Sequence, residues 1–171
     1  MSPAARLITS VAALALVAAG PLPGTEGAAC APQETGPALK VVVEGLKDRR
    51  GLLRLELYPA DDGDFLADDT VLLKAGKVFR RVDVPTSDAT ELCIRAPEPG
   101  RYAAVVLHDR NSDHRFDPFV DGAGFPNNPR LGFSKPKAAA VSLMVGPGVT
   151  TTTVVLNYWN GLSFAPHHSH R

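Results

Sequence analysis

The residues with the clearest capacity for chemistry lie between His108 and Asp121. The run His108-Asp109-Arg110-Asn111-Ser112-Asp113-His114-Arg115-Phe116-Asp117 sets side-chain oxygens on alternate residues from Asp109 to Asp113 and adds a carboxylate at Asp117. Calcium takes six to eight hard oxygen donors at ~2.3–2.6 Å, and a short chain wrapping an ion supplies them from alternate side chains plus a backbone carbonyl. In an EF-hand-like count, Asp109, Asn111, Asp113, the carbonyl of Arg115 and Asp117 hold positions one, three, five, seven and nine. Position twelve is Val120 instead of a bidentate Glu, so Asp121 or water completes the shell. Position six, where a sharp turn favours Gly, is His114, a residue that reaches positive φ more readily than bulky ones, at a cost. The pattern predicts Ca²⁺ held by Asp109, Asn111, Asp113, Arg115, Asp117 and Asp121 in a static clamp. The bland reading of the same residues is turn capping, since Asp and Asn bond their own backbone and tolerate left-handed geometry.

Catalytic chemistry has thinner support. Ser112 and Ser134 lie in no nucleophile elbow, and the chain has no His-Glu-x-x-His, no Gly-rich phosphate loop and no Cys-x-x-Cys. The acidic runs do not form a carboxylate pair whose environments would separate their pKa values. The alternative to a non-catalytic module is a metal-dependent hydrolase using His108, Asp109 and a metal-bound water. It requires the His108 ring to face the Asp109–Asp117 oxygens. A lone imidazole bonded to loop backbone is the commoner state. The tail histidines, in His167-His168-Ser169-His170, lack the supporting shell a transition metal needs.

The elements that position this loop alternate with a period of two. Leu53, Leu55 and Leu57 oppose Arg54 and Glu56, and Val41 and Val43 alternate with Lys40 and Glu44, which predicts half-buried strands. Strands are expected near 39–45, 51–58, 76–84, 90–96, 101–108, 138–145 and 149–158, with a further candidate at 70–74. Turns at Lys47–Gly51, Pro97-Glu98-Pro99-Gly100 and Gly146-Pro147-Gly148 punctuate them. About seven strands without a helical pattern predict an all-β, antiparallel β-sandwich, immunoglobulin/transthyretin-like, over residues 39–160. Tyr158 and Trp159 are expected to close the end of its core, with an exposed platform as the other reading of Trp159. Residues 161–171 read as a disordered His-containing tail.

Compartment follows from the first residues. Arg6 precedes an apolar run from Leu7 to Ala19 that is too short to span a bilayer, which needs ~20 residues. Residues 1–29 read as a signal peptide cleaved after Ala29, with Ala19 as the second choice, and 30–38 as a linker. The mature protein is then exported, periplasmic or extracellular, with no membrane span. The 2 cysteines, Cys30 and Cys93, are expected to pair in that oxidising setting. The competing reading, a lipid-modified Cys30, fits poorly with Gly27 where a large aliphatic residue is usual. The formal net charge of zero and the mixed signs exclude a nucleic-acid stripe. Five aspartates crowd Asp61–Asp69, where turn chemistry is the bland expectation.

Gly100-Arg101-Tyr102-Ala103-Ala104-Val105-Val106-Leu107-His108-Asp109, the Asn111/Asp113/Asp117 spacing, Gly124-Phe125-Pro126-Asn127-Asn128-Pro129 and Leu156-Asn157-Tyr158 resemble the bacterial domain-of-unknown-function family 2141. The resemblance spans roughly 39–159. That family's loop typically reads His-Asp-x-Asn-x-Asn-Gly with an Asp three further on, followed by Gly-Phe-Ser-Asn-Asn. Here His114 stands for the Gly, Asp113 for the second Asn and Pro126 for the Ser. The resemblance implies an exported β-rich protein without an established activity. The expected function is a binding or structural module with an unknown protein or glycan partner. The expected surface is the 119–136 segment, through Phe119, Phe125, Asn127, Asn128 and Phe133, whose phenylalanines either tuck under or form a contact patch.

Overall fold

Leu39, Val41 and Val43 on one strand and Leu53, Leu55 and Leu57 on another are buried at every second residue, so apolar rows face each other across two sheets. The computed structural model describes residues 26–87 and 90–167. Their strands are β1 (Ala38–Glu44), β2 (Leu52–Pro59), β3 (Arg80–Pro85), β4 (Glu91–Arg95), β5 (Gly100–Asp109), β6 (Gly122–Gly124), β7 (Ser142–Val145), β8 (Val149–Val155), β9 (Asn157–Trp159) and β10 (Phe164–Pro166). One helix, α1 (Asp69–Lys74), and a 3₁₀ turn over Ala138–Val141 accompany them. The small sheet runs β4-β1-β8 and the large one β10-β9-β6-β5-β2-β3, with β7 also on β5. Pairing is antiparallel except between β1 and β8, which run parallel with Ala38 opposite Val149. The fold is the all-β sandwich that the alternation predicts.

Two cores flank the large sheet. Between the sheets, Leu39, Val41, Leu92, Ile94 and Val154 meet Leu53, Leu55, Val106 and Tyr158. On the other face, Tyr58, Phe65, Leu72, Phe79, Val105, Phe125 and Val141 pack under the 60–79 and 125–141 segments. Each fully buried Leu or Phe contributes ~1.5–3 kcal/mol by leaving water. Cover on that face explains why β2 is not half-buried as its alternation predicts: Glu56, at 4% exposure, lies beside Tyr58 of the second core, and Arg54, at 6%, lies against His114 of the 109–121 segment. Glu56 survives there because Arg81 pairs with it at 2.8 Å and the Tyr58 hydroxyl donates to it at 2.6 Å.

Several segments depart from the sequence pattern. Residues 70–74 are helical, since Asp68 caps Thr70 N at 2.9 Å and only Leu72 is buried. The 76–84 strand starts only at Arg80, and the first half of 138–145 is the 3₁₀ turn. The 149–158 run divides at Leu156, where β9 crosses to the large sheet. Phe164–Pro166, expected in the disordered tail, pairs with β9 in the register Phe164 to Trp159; residues 168–171 lie outside the described residues. At the other end, a Cys30–Cys93 disulfide with Cα atoms 5.8 Å apart ties the N-terminal segment to β4. Arg95 donates to the carbonyl of Thr35 at 2.7 Å, so residues 30–38 are fastened and do not hang as a loose linker. Residues 26–28, placed by the sequence at the end of the leader, lie along β4, with Gly27 opposite Ile94. The apolar Leu7–Ala19 run lies outside the described residues. No described helix is long and apolar enough to cross a membrane.

Candidate functional site

The 109–121 loop leaves the end of β5 and returns as β6 beside the same strand. Its two ends are buried carboxylates: Asp109 is 3% exposed and Asp121 fully buried. Asp121 accepts Arg110 N at 3.0 Å and Asp117 N at 2.8 Å, which brackets the loop across its base. Asp109 accepts His114 N at 2.9 Å and Asp113 N at 3.3 Å. Asp113 accepts Arg115 N at 2.8 Å and the Asn111 amide at 2.8 Å, and Asp117 accepts Phe119 N at 2.8 Å. The Arg115 backbone N–H and the Asn111 amide hold the Asp113 carboxyl below the usual range. Ser112 and His114 stand at φ 58° and 63°, so the sharp turn of position six is present without glycine.

The proposed ligand residues thus share one loop, but their oxygens face backbone N–H groups. Among the described residues no three His, Cys, Asp or Glu side chains converge on a point that would hold a metal. Two arginines stitch the loop to the sandwich, and neither was signalled as a site residue by its sequence position. Arg54 donates to the His114 carbonyl at 3.1 Å and to its ring Nδ1 at 2.6 Å, while its other edge meets Asp83 at 2.8 Å. Arg110 donates to the Val120 carbonyl at 2.8 Å and pairs with Asp48.

His108 points the other way. Its ring is fully buried, with Nε2 2.7 Å from the Arg50 carbonyl and Nδ1 2.7 Å from the Tyr158 hydroxyl. A carbonyl only accepts, so Nε2 carries the proton and Nδ1 accepts from Tyr158. The Tyr158 oxygen in turn accepts Lys47 N at 3.1 Å. Burial lowers the His108 pKa, and burial pushes Tyr158 up to about 12. Gly122 makes room for this arrangement: a Cβ there would lie 2.4 Å from the Tyr158 ring.

The expected partner surface separates into two kinds of residue. Phe125 is 6% exposed and belongs to the second core, stacked edge-on against Phe65, so it is not a contact residue. Asn127 and Asn128, both at positive φ, use their amides as clamps. Asn127 donates to the carbonyls of Ala140 and Ser142 at 3.2 and 3.0 Å. Asn128 donates to the Thr153 carbonyl at 3.1 Å and accepts Val155 N at 2.7 Å. Phe119 and Phe133 do face solvent, at 74% and 87% exposure. Both meet the edge of Trp159, at 6.1 and 5.9 Å between centroids, and Phe164 meets it at 5.8 Å. Tyr158 alone closes the core; Trp159 is the half-buried hub of a surface aromatic cluster, the reading its strand-end position ranks second. Beside it lies a depression of about 340 Å³ lined by Leu66, Phe116, Pro118, Phe133, Pro136 and Phe164.

The Asp61–Asp69 segment has structural duties. Asp62 accepts Ala138 N at 2.7 Å, Asp64 pairs with Lys77 at 2.6 Å, Asp68 caps α1 and Asp69 pairs with Arg81 at 3.0 Å. Asp61, which accepts Gly63 N, and the Asp68 cap are the turn chemistry the segment predicts; the ion pairs of Asp64 and Asp69 are not.

The family model described as "Uncharacterized protein conserved in bacteria (DUF2141)" matches residues 41–153, and the chain belongs to that family. No curated protein and no solved structure matches the chain.

Proposed function

Proceeding from membership of a family without a described activity, we propose that this protein is a non-catalytic, exported β-sandwich module that binds a protein or glycan. Its contact surface is the aromatic cluster around Trp159. The observation that carries this reading is the outward placement of Phe119 and Phe133 on segments fastened at both ends. Clustered exposed aromatic rings, with few rotamers to immobilise, suit recognition. The non-catalytic part is supported by His108, whose two ring nitrogens are engaged inside the sandwich and offer no base to the loop. Phe119→Ala with Phe133→Ala should leave melting temperature and circular dichroism unchanged and abolish retention of an exported-fraction partner identified by mass spectrometry. Equal retention by the double variant would remove the aromatic surface from the reading.

Calcium belongs to the same proposal as an ordering ion for 109–121. It is supported by the alternate oxygens and by the left-handed turn at His114. Binding would exchange backbone contacts of Asp113 and Asp117 for ion contacts, so the gain is modest. Export is supported by the leader pattern and by the disulfide. Because residues 26–28 line β4, N-terminal sequencing of the exported protein should give a start upstream of Glu26, with cleavage after Ala19 as the matching choice, and not after Ala29.

A further inference from the structure

All but one of the sheet edges among the described residues carry a recognisable block. Natural edges are protected by charge, proline, shortness or a covering segment. β3 carries Arg80, Arg81 and Asp83 and ends at Pro85. β10 is 3 residues long and ends at Pro166. β4 is covered by residues 26–28. β7 has 4 residues, with the Asn127 amide on its Ser142 carbonyl. β8 reads Val-Thr-Thr-Thr-Thr-Val-Val, without charge, proline or glycine, and ends the small sheet.

Which peptide groups of β8 are free follows from its ladder. Leu156 N donates to the Glu44 carbonyl at 2.9 Å and Ala38 N to the Gly148 carbonyl at 3.2 Å, so even-numbered residues face β1. Odd-numbered ones face outward. At the far end they are already occupied: Asn128 bonds Val155 N and the Thr153 carbonyl, and the Asn157 amide bonds the Val155 carbonyl at 3.0 Å. The open groups are therefore the N–H and C=O of Val149 and Thr151 and the N–H of Thr153, with Thr151 at their centre.

We propose that this edge pairs with β8 of a second copy of the chain, antiparallel about a two-fold axis at Thr151. Thr151 exchanges both its peptide bonds with Thr151 of the second copy and the Thr153 N–H donates to that copy's Val149 carbonyl, the Thr153 carbonyl staying with Asn128, and the two small sheets join into one of six strands. The occupant is a second copy because the open stretch is symmetric about one residue and electrically neutral, so like faces like without repulsion. Threonine opposite threonine is a favourable cross-strand pair. Lys40, the cation on neighbouring β1, is already paired with Glu91 at 2.7 Å and sets no preference for an acidic strand. Asn128 fixes the register by blocking any slide toward Val155.

The test uses the exported, disulfide-intact protein. An interface confined to one strand edge is weak, so sedimentation mass should approach a twofold rise only between about 10 µM and 1 mM. Over that range hydrogen exchange at the Thr151 and Thr153 amides should slow, while the Val155 amide, bonded to Asn128, stays constant. Thr151→Lys should stay monomeric with unchanged melting temperature, and so should Thr151→Glu. Mixing the two variants in equal amounts should restore the twofold mass, because opposite charges then face each other. A single-chain mass for the wild type throughout, or association of Thr151→Lys alone equal to the wild type, would overturn the proposal.

Discussion

In the 61–69 segment three of the five aspartates reach out, Asp62 to Ala138 N and Lys137, Asp64 to Lys77, and Asp69 to Arg81, while Asp61 and Asp68 accept N–H groups two residues on. In the 109–121 loop, Asp109, Asp113, Asp117 and Asp121 all accept N–H groups of the loop itself. No ion pair among the described residues reaches those four. Asp62, Asp64 and Asp69 therefore rivet distant segments together, each beside a cation. The loop's four organise one stretch of chain without an ion-pair partner among the described residues. Similar composition thus yields mostly fastenings in one place and a self-contained loop in the other, where all four carboxylates can turn to an ion without breaking an ion pair to another segment.

The comparison breaks most sharply at Asp121. Asp121→Ala removes a fully buried acceptor of two backbone N–H groups, and unsatisfied buried donors should cost about 3 kcal/mol in a denaturant titration. A loss below 1 kcal/mol would mean that the loop base does not depend on this carboxylate.

Acidification should act next, on the buried His108 beside the loop before it reaches the carboxylates of either region. The His108 pKa is lowered by burial, so the folded state favours the neutral ring. Its contribution is complete above the unfolded value near 6.5 and is lost as pH falls toward the folded value. Asp62, Asp68 and Asp113 are also lowered, by the Ala138 N–H, the Thr70 hydroxyl and the Arg115 N–H respectively. Their contribution is complete above the ordinary value of 3.8 and disappears only below it. Stability should therefore fall in two steps, and His108→Gln should remove the slope of the step that begins near pH 6.5 while leaving the carboxylate step.

Millimolar Ca²⁺ should add the smallest effect, about 0.4–1.4 kcal/mol for a dissociation constant of ~10⁻⁴–10⁻³ M. Mg²⁺ should add less, because it gives up water reluctantly. Asp109→Ala with Asp113→Ala should abolish the thermal shift, and Asp61→Ala with Asp62→Ala should preserve it while lowering the starting melting temperature. Absence of both heat and shift at several millimolar Ca²⁺, on protein stripped with chelator, would leave backbone capping as the loop's whole role.

The sheets were legible where alternation meets solvent on one side, as in β1, β4 and the inner face of β2. They were not where packing overrides propensity. β6 is Gly-Ala-Gly, a poor strand by composition, yet a Cβ at Gly124 would sit 2.6 Å from Val154 Cγ1, so the close approach of β8 selects glycine there. The α1 helix left a readable sign in Asp68 preceding Asp69-Thr70, with Lys74 in its last turn. Arg54 did not: alternation placed it outward, and the cover that buries it comes from segments far along the chain. The aspartates and asparagines announced a structured loop, but the same spacing serves capping and ligation. Trp159 was ambiguous because neighbouring strand residues face opposite sides, and only the register shows that Tyr158 took the core.

The parallel ladder of β1 on β8 also sets a timetable. Ala38 pairs with Val149, so the first strand along the chain waits for the eighth. A chain synthesised from its N-terminus cannot complete the small sheet until β8 has been made, and contacts of such long sequence separation form slowly. Until then the apolar face of β1 has no finished sheet around it, which makes the interval before β8 docks the period in which a chaperone would matter most to this chain.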